Sequence, residues 1–291
     1  MLLKLKKIFR LFAADIRSRR NAIDLSFLKD YDVHPVAVSY RSGEGDVLLN
    51  VPLSRCRHFS WLSYPCTINS DSPFIKTLLH YKEGICLQYE GSALEKFYSH
   101  WQPQNAADLL LLKNPSYERF RNLPPSATPL LWADQNPDDL VRSRKYAIER
   151  DNRLHGAKLS HEDGDTFFGP VSARKGSLEF SRLIRVYESI KKNGFKIDYL
   201  GFENVYVVCL FEDLKTDTYC FLVSSGGQHR LAALTALGYD RVTVQLSSRE
   251  GIKGLVRLSD IDRWPSVVNG YFSKDEAFSL FIRLMGNQEH K

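Results

Sequence analysis

A chain of 291 residues with 43% hydrophobic and 12% aromatic content can fill one large core or two modest ones, which excludes wholesale disorder. Its formal net charge of +6 favours phosphate-bearing partners but is too diffuse to mark a nucleic-acid binder, and an ordinary basic protein accounts for it equally well. The five cysteines, Cys56, Cys66, Cys86, Cys209 and Cys220, contain no C-x-x-C pair and are odd in number, which argues against both a zinc site and a disulfide framework.

In chain order, "MLLKLKKIFRLFAADIRSRR" comes first. Leu2, Leu5, Ile8, Phe9, Phe12 and Ile16 share one helical face among lysines and arginines, so residues 2–20 suit a basic amphipathic helix. Such a helix packs on its own domain or docks on a membrane surface or partner protein. The stretch lacks the apolar core and cleavage site of a secretory signal. No run approaches bilayer length, and together with reduced thiols this points to the cytoplasm.

Residues 46–59 read as extended, with Pro52 marking an edge or bend. Helices are predicted over 71–84, 92–101 and 105–112 from their caps, and 114–129 is a proline-rich loop. The segment 55–61, "RCRHFSW", mixes bases and aromatics in a way that suits base stacking or an ordinary core. A helix over 136–156 starts clearly: Asn136 caps, Pro137 follows, acids precede bases. The division into a 1–145 aromatic-rich region and a 146–291 region is placed within it.

A polar, glycine-rich loop covers 157–176. An amphipathic helix is predicted over 177–195, closed by Gly194. A hairpin follows over 204–213 and 219–225, then a helix through Ala236, a strand at 241–246 and a capped helix over 273–286. This order predicts an α+β fold.

The stretch "SSGGQHRLAALTALGYDRVTVQL" (224–246) stands out. A strand that ends in small residues and turns into a helix leaves helix-start amides unsatisfied, and the helix dipole adds partial positive charge there. Gly226 and Gly227 permit close approach of an anion, while His229 and Arg230 supply donors. The pattern suits a phosphate-binding corner, or equally a tight turn with Arg230 paired locally. It is neither G-x-x-x-x-G-K-[ST] nor G-x-G-x-x-G.

The segment "GGQHRLAALTALGYDRVTVQL" resembles the G-x-H-R…A…L-G…V-P-V stretch of the ParB/sulfiredoxin superfamily. The preceding "SRLIRVYESIKKNGF" is similar to that superfamily's helix ending in S-I-x-x-x-G. The resemblance covers about 157–250 and implies a mixed sheet with flanking helices. It implies nucleotide contacts from Gly226, Gly227, Gln228, His229 and Arg230, and from Arg182, Arg185 and Ser189 on the upstream helix. Gln228 stands where sulfiredoxins carry their reactive cysteine, so that chemistry lacks its nucleophile. Too little chain follows 246 for the helix-turn-helix of chromosome-partitioning proteins.

What remains resembles the free-serine-kinase branch, which implies ATP or ADP, Mg²⁺ and an acidic base. Among the acids near the corner, Asp165 and Glu179 are the expected catalytic carboxylates beside His229; Glu179 can face Arg182 three residues on. Glu162, Asp163, Glu188, His155 and His161 are further possibilities. Metal ligands are not readable. The expected activity is phosphoryl transfer to a small hydroxylated metabolite or a glycan sugar, as in polysaccharide biosynthesis. A non-catalytic or CTP-hydrolysing nucleotide switch that regulates DNA or protein binding is the alternative, with a ParB-like nuclease third; DNA itself is an unfavoured partner.

Overall fold

The computed structural model describes residues 22–28, 34–42, 46–197, 205–212, 218–223, 226–246 and 254–286. The amphipathic stretch 2–20 lies outside them. In chain order the strands are β1 (Ile23–Asp24), β2 (Val47–Pro52), β3 (Cys56–Arg57), β4 (Val205–Phe211), β5 (Tyr219–Val223), β6 (Arg241–Leu246) and β7 (Leu255–Arg257). The helices are α1 (Pro35–Ser42), α2 (Pro73–Lys82), α3 (Ala93–His100), α4 (Ala106–Leu110), α5 (Pro137–Leu154), α6 (Ala173–Asn193), α7 (Gln228–Leu237), α8 (Pro265–Val268) and α9 (Lys274–Met285).

The strands form one mixed sheet in the order β1-β2-β6-β4-β5-β3, with β7 also on β4. The predicted hairpin is present: β4 and β5 pair antiparallel from Val207↔Val223 to Phe211↔Tyr219. Along the opposite edge of β4, β6 pairs with Val205–Val207 and β7 with Cys209–Phe211, both parallel. Every residue of β4 is buried, so its Val-rich run is that of a central strand covered on both faces.

Alternation separates the two faces. Val205, Val207, Cys209, Val223, Val242 and Val244 enter a core built with α2, α3, α6 and α7. Val208, Leu210, Cys220, Leu222 and Val256 enter a second core with α4, α9, Trp132 and Trp264. The fold is therefore α+β in its general form, a mixed sheet between helical layers. Four of the cysteines are buried free thiols and Cys86 is partly exposed.

The boundary expected at 145/146 falls inside α5, and both cores draw residues from each side of it. β2, from the first part, pairs antiparallel with β6, from the second, over six residues from Val47↔Leu246 to Pro52↔Arg241. Among the described residues, no helix is long and apolar enough to cross a membrane.

Two local choices set the geometry of the site. α6 begins at Ala173, earlier than the periodicity predicts, because Ser172 caps it by accepting from the Lys175 amide at 3.1 Å. Gly176, which reads as a helix breaker, lies inside it; a Cβ there would meet Tyr89 Cζ at 2.1 Å, so glycine is what lets Tyr89 close on the helix. α7 is buried almost throughout, with Leu231, Ala232, Ala233, Leu234 and Ala236 at 0% exposure. It packs against α6 and α2 and closes on Gly238 at φ +84°.

Candidate functional site

β5 runs out at Val223 and the chain re-enters helix α7 at Gln228. Gly227 is the N-cap, at φ +93°, and a Cβ on it would come within 2.9 Å of Val205 Cα. Glycine is thus required by backbone conformation and by contact with β4. Gly226 is under no such constraint: its nearest neighbour would be Tyr206 Cδ2 at 3.9 Å. Gly227, as the N-cap residue, brings no side chain of its own to the first turn of α7, and backbone amides at a helix start point outward along the helix axis.

This elbow forms the floor of a cleft of about 380 Å³, with α5 and α6 as its walls. Gly226, Gly227, Gln228, His229 and Arg230 all line it, as do Arg182 and Arg185 from α6. α5 adds Arg144, Arg150, Asp151 and, just beyond its end, His155. Five arginines, Lys175 and one carboxylate, Asp151, are thus in the lining; Glu179 and Asp165 just behind it pair with Lys175, Arg182 and Arg144, and the cations still outnumber the three carboxylates. That excess of positive charge in a confined space, at a helix start, favours a multiply charged anion.

Under the elbow lies a buried charge cluster. Glu179 is 0% exposed, and its Oε1 accepts from Lys175 Nζ at 2.7 Å and Arg182 Nη1 at 2.8 Å. Its Oε2 lies 3.4 Å from His229 Nε2, at an angle that leaves both atoms without a hydrogen bond. Burial raises the Glu179 carboxyl, but His229, Arg182 and Lys175 together outweigh it and hold the group well below the usual carboxylate range. The helical spacing explains the meeting: Lys175, Glu179 and Arg182 stand at i, i+4 and i+7 on α6.

The same residues fasten α5. Lys175 Nζ also donates to Asn152 Oδ1 at 2.7 Å, and Arg182 reaches both oxygens of Asp151 at 2.7 and 3.3 Å. Arg144 makes a two-pronged pair with Asp165, Nε to Oδ2 at 2.8 Å and Nη2 to Oδ1 at 2.6 Å, and lies over the Phe167 ring at 5.0 Å. His155 Nε2 is 3.7 Å from Asp151 Oδ1; burial, then Arg182, lowers its pKa, so it is neutral near pH 7.

The structure therefore brings Glu179, Arg182, Arg185, His229, Arg230 and the glycines to one place. Asp165 does not line the cleft; it is 4% exposed, and the Phe167 amide donates to it as well as Arg144. Ser189 is exposed one turn beyond Arg185, outside the lining. Gln228 commits its side chain to the protein: Oε1 faces His58 Nδ1 at 2.8 Å, and Nε2 donates to the Val223 and Phe59 carbonyls at 3.3 and 3.4 Å. Only its backbone is left for a ligand.

Sequence reasoning missed Lys175, Arg144, Asp151 and Asn152. Lys175 was signalled by its i, i+4 relation to Glu179, once α6 is extended back through Gly176. The others lie on α5, where nothing local shows which face meets the cleft.

Among the described residues, no group of three or more His, Cys, Asp or Glu is placed to hold a metal ion. Asp151 and Glu179 already serve arginine and lysine, so the donor set does not fit a protein-held Mg²⁺; a magnesium ion accompanying a nucleotide would ride on its phosphate oxygens. No family model matches the chain, and comparison with curated proteins and with solved structures gives no significant match.

Proposed function

We propose that the cleft binds the polyphosphate of a nucleotide and that the protein is a nucleotide-dependent phosphotransferase acting on a hydroxyl of a small metabolite or glycan sugar. The observation that carries the reading is convergence: Gly226, Gly227 and His229 at the start of α7 line one cleft together with Arg230, Arg182 and Arg185. Backbone amides would cradle one phosphate, and the arginines would take the oxygens of the next. The reading takes the likeness of residues 157–250 to the ParB/sulfiredoxin superfamily from the Gly-Gly-Gln-His-Arg corner and the helix before it, on a fold that is a mixed sheet with flanking helices.

Phosphoryl transfer asks mainly for positioning and charge stabilisation. Glu179 and Asp165 serve here as positioning residues, because one is enclosed beneath Lys175 and Arg182 and the other is saturated by Arg144. Glu179 places its negative charge 3.4 Å from His229 Nε2, which leaves Nδ1 as the ring nitrogen for a phosphate oxygen. His155, neutral at the cleft wall beside Asp151, is the group suited to take the acceptor's proton.

The test is a thermal-shift panel of ATP, ADP, CTP and GTP with Mg²⁺, followed by transfer assays with the nucleotide that binds. Binding together with transfer that is lost in His155→Ala supports the reading. A second reading, a nucleotide switch, has its own support: α5 is held to α6 by Arg182–Asp151 and Lys175–Asn152, contacts that an entering phosphate would compete for. It predicts tight binding and movement of α5 without transfer.

A further inference from the structure

Three residues that each carry a buried, unpaired polar atom line a small crevice beside the cleft. His58, Ser60, Ser72 and Phe74 line it, and it shares Thr166 and Phe167 with the cleft itself. His58 is 2% exposed and Ser72 0%. Yet His58 Nε2, Ser60 Oγ and Ser72 Oγ have no protein hydrogen-bond partner. A buried polar atom left unpaired costs about 1–3 kcal/mol, so three around one crevice call for an occupant. Ser72 sharpens the point. It is the N-cap of α2, where serine ordinarily accepts from a first-turn amide, and its hydroxyl makes no such bond.

The hydrogen-bond roles are fixed by neighbours. Gln228 Nε2 is spent on two carbonyls, so its Oε1 accepts, His58 Nδ1–H donates, and His58 Nε2 presents a lone pair. Burial lowers the His58 pKa to about 4, which keeps that lone pair at neutral pH. One pure acceptor and two hydroxyls thus stand at the edge of a mostly apolar crevice of about 10 Å³, room for a single oxygen.

We propose that this crevice is a hydroxyl subsite of the cleft: one alcohol oxygen of the bound ligand donates to His58 Nε2 and is held by Ser60 and Ser72. The inference rests on the cleft being the ligand site. The alcohol comes from the ribose of a nucleotide or from the acceptor, and the chemistry read is the same.

Calorimetry on the full chain with inorganic triphosphate, ATP, 2′-deoxy-ATP and 3′-deoxy-ATP, for wild type and Ser72→Ala, separates the cases. Ser72→Ala removes a hydroxyl that caps nothing, so folding and triphosphate affinity are retained. A ribose source predicts that one deoxy analogue binds wild type about fivefold more weakly than ATP, and that Ser72→Ala erases the difference. An acceptor source predicts no deoxy effect, with density for an erythritol hydroxyl within hydrogen-bonding reach of His58 Nε2 in crystals grown with ADP. Equal affinities throughout, with the crevice empty or holding only water in those crystals, overturn the proposal. If triphosphate fails to bind, the phosphate reading falls instead, and crystals soaked in erythritol alone decide the crevice by the same density.

Discussion

Single residues at the elbow have distinguishable duties. Gly227→Ala forces a Cβ into Val205 at a positive φ, whereas Gly226→Ala meets open space. The first should cost about 1–3 kcal/mol and loosen the start of α7, and the second should leave stability nearly unchanged, both measured by urea unfolding. Glu179→Gln should be harsher, about 3–5 kcal/mol, because Lys175 and Arg182 would keep their charges with the compensating one removed. Equal stability of Glu179→Gln and wild type would contradict the cluster. His58 gives a pH signature. Its folded pKa of about 4 lies below the ordinary value near 6.5, so the unfolded chain takes up a proton that the folded chain refuses. Its contribution is therefore full above about pH 6.5 and declines as pH falls towards 4, about 2 kcal/mol between pH 7 and 5. His58→Leu should flatten that part of the profile, and an unaltered slope would refute the assignment.

At the level of elements, α5 is held by little apolar burial for its length. Only Pro137 and Asn152 are buried along its 18 residues, and Arg144, Asp151 and Asn152 tie it down by polar contacts. Amide exchange along 140–154 should therefore be fast relative to α6 and α7, and should slow when a polyphosphate bridges the two walls. Exchange as slow as in α7 without ligand would contradict this. The same helix shows where sequence reading stops. Its start was legible from Asn136, Pro137 and Asp138, because capping is local chemistry. Its partnership with α6 was not, since an aspartate that finds Arg182 leaves the same trace in the chain as one facing water. The elbow was legible because glycine, a helix start and the His-Arg pair are neighbours in sequence. Asp165 and Glu179 were read as reactive from residue type, nearness to the corner and, for Glu179, the spacing to Arg182; their burial follows from packing that no local pattern encodes.

For the whole molecule, the sheet decides cooperativity. β2 hydrogen-bonds to β6, and Val47, Leu49 and Val51 share a core with Val205, Val242 and Val244. Unfolding followed by fluorescence and by circular dichroism should coincide in one transition, and a fragment of 146–291 should fail to fold, because β6 would lose β2, its six-residue antiparallel partner, and keep only the short pairing with β4. Two separated transitions would contradict a shared core. Charge belongs to this scale too: the excess of +6 is modest, but arginines from α5 and α6 and the elbow concentrate it at one cleft. The most direct test of that concentration is the dissociation constant of ATP, measured by calorimetry for wild type and for Arg185→Ala, an exposed cleft residue whose loss leaves the core untouched. Binding to wild type that weakens roughly tenfold or more in the variant, at unchanged melting temperature, is the predicted result. ATP affinity that is absent in wild type, or identical in the two proteins, would contradict a polyphosphate seat at the start of α7.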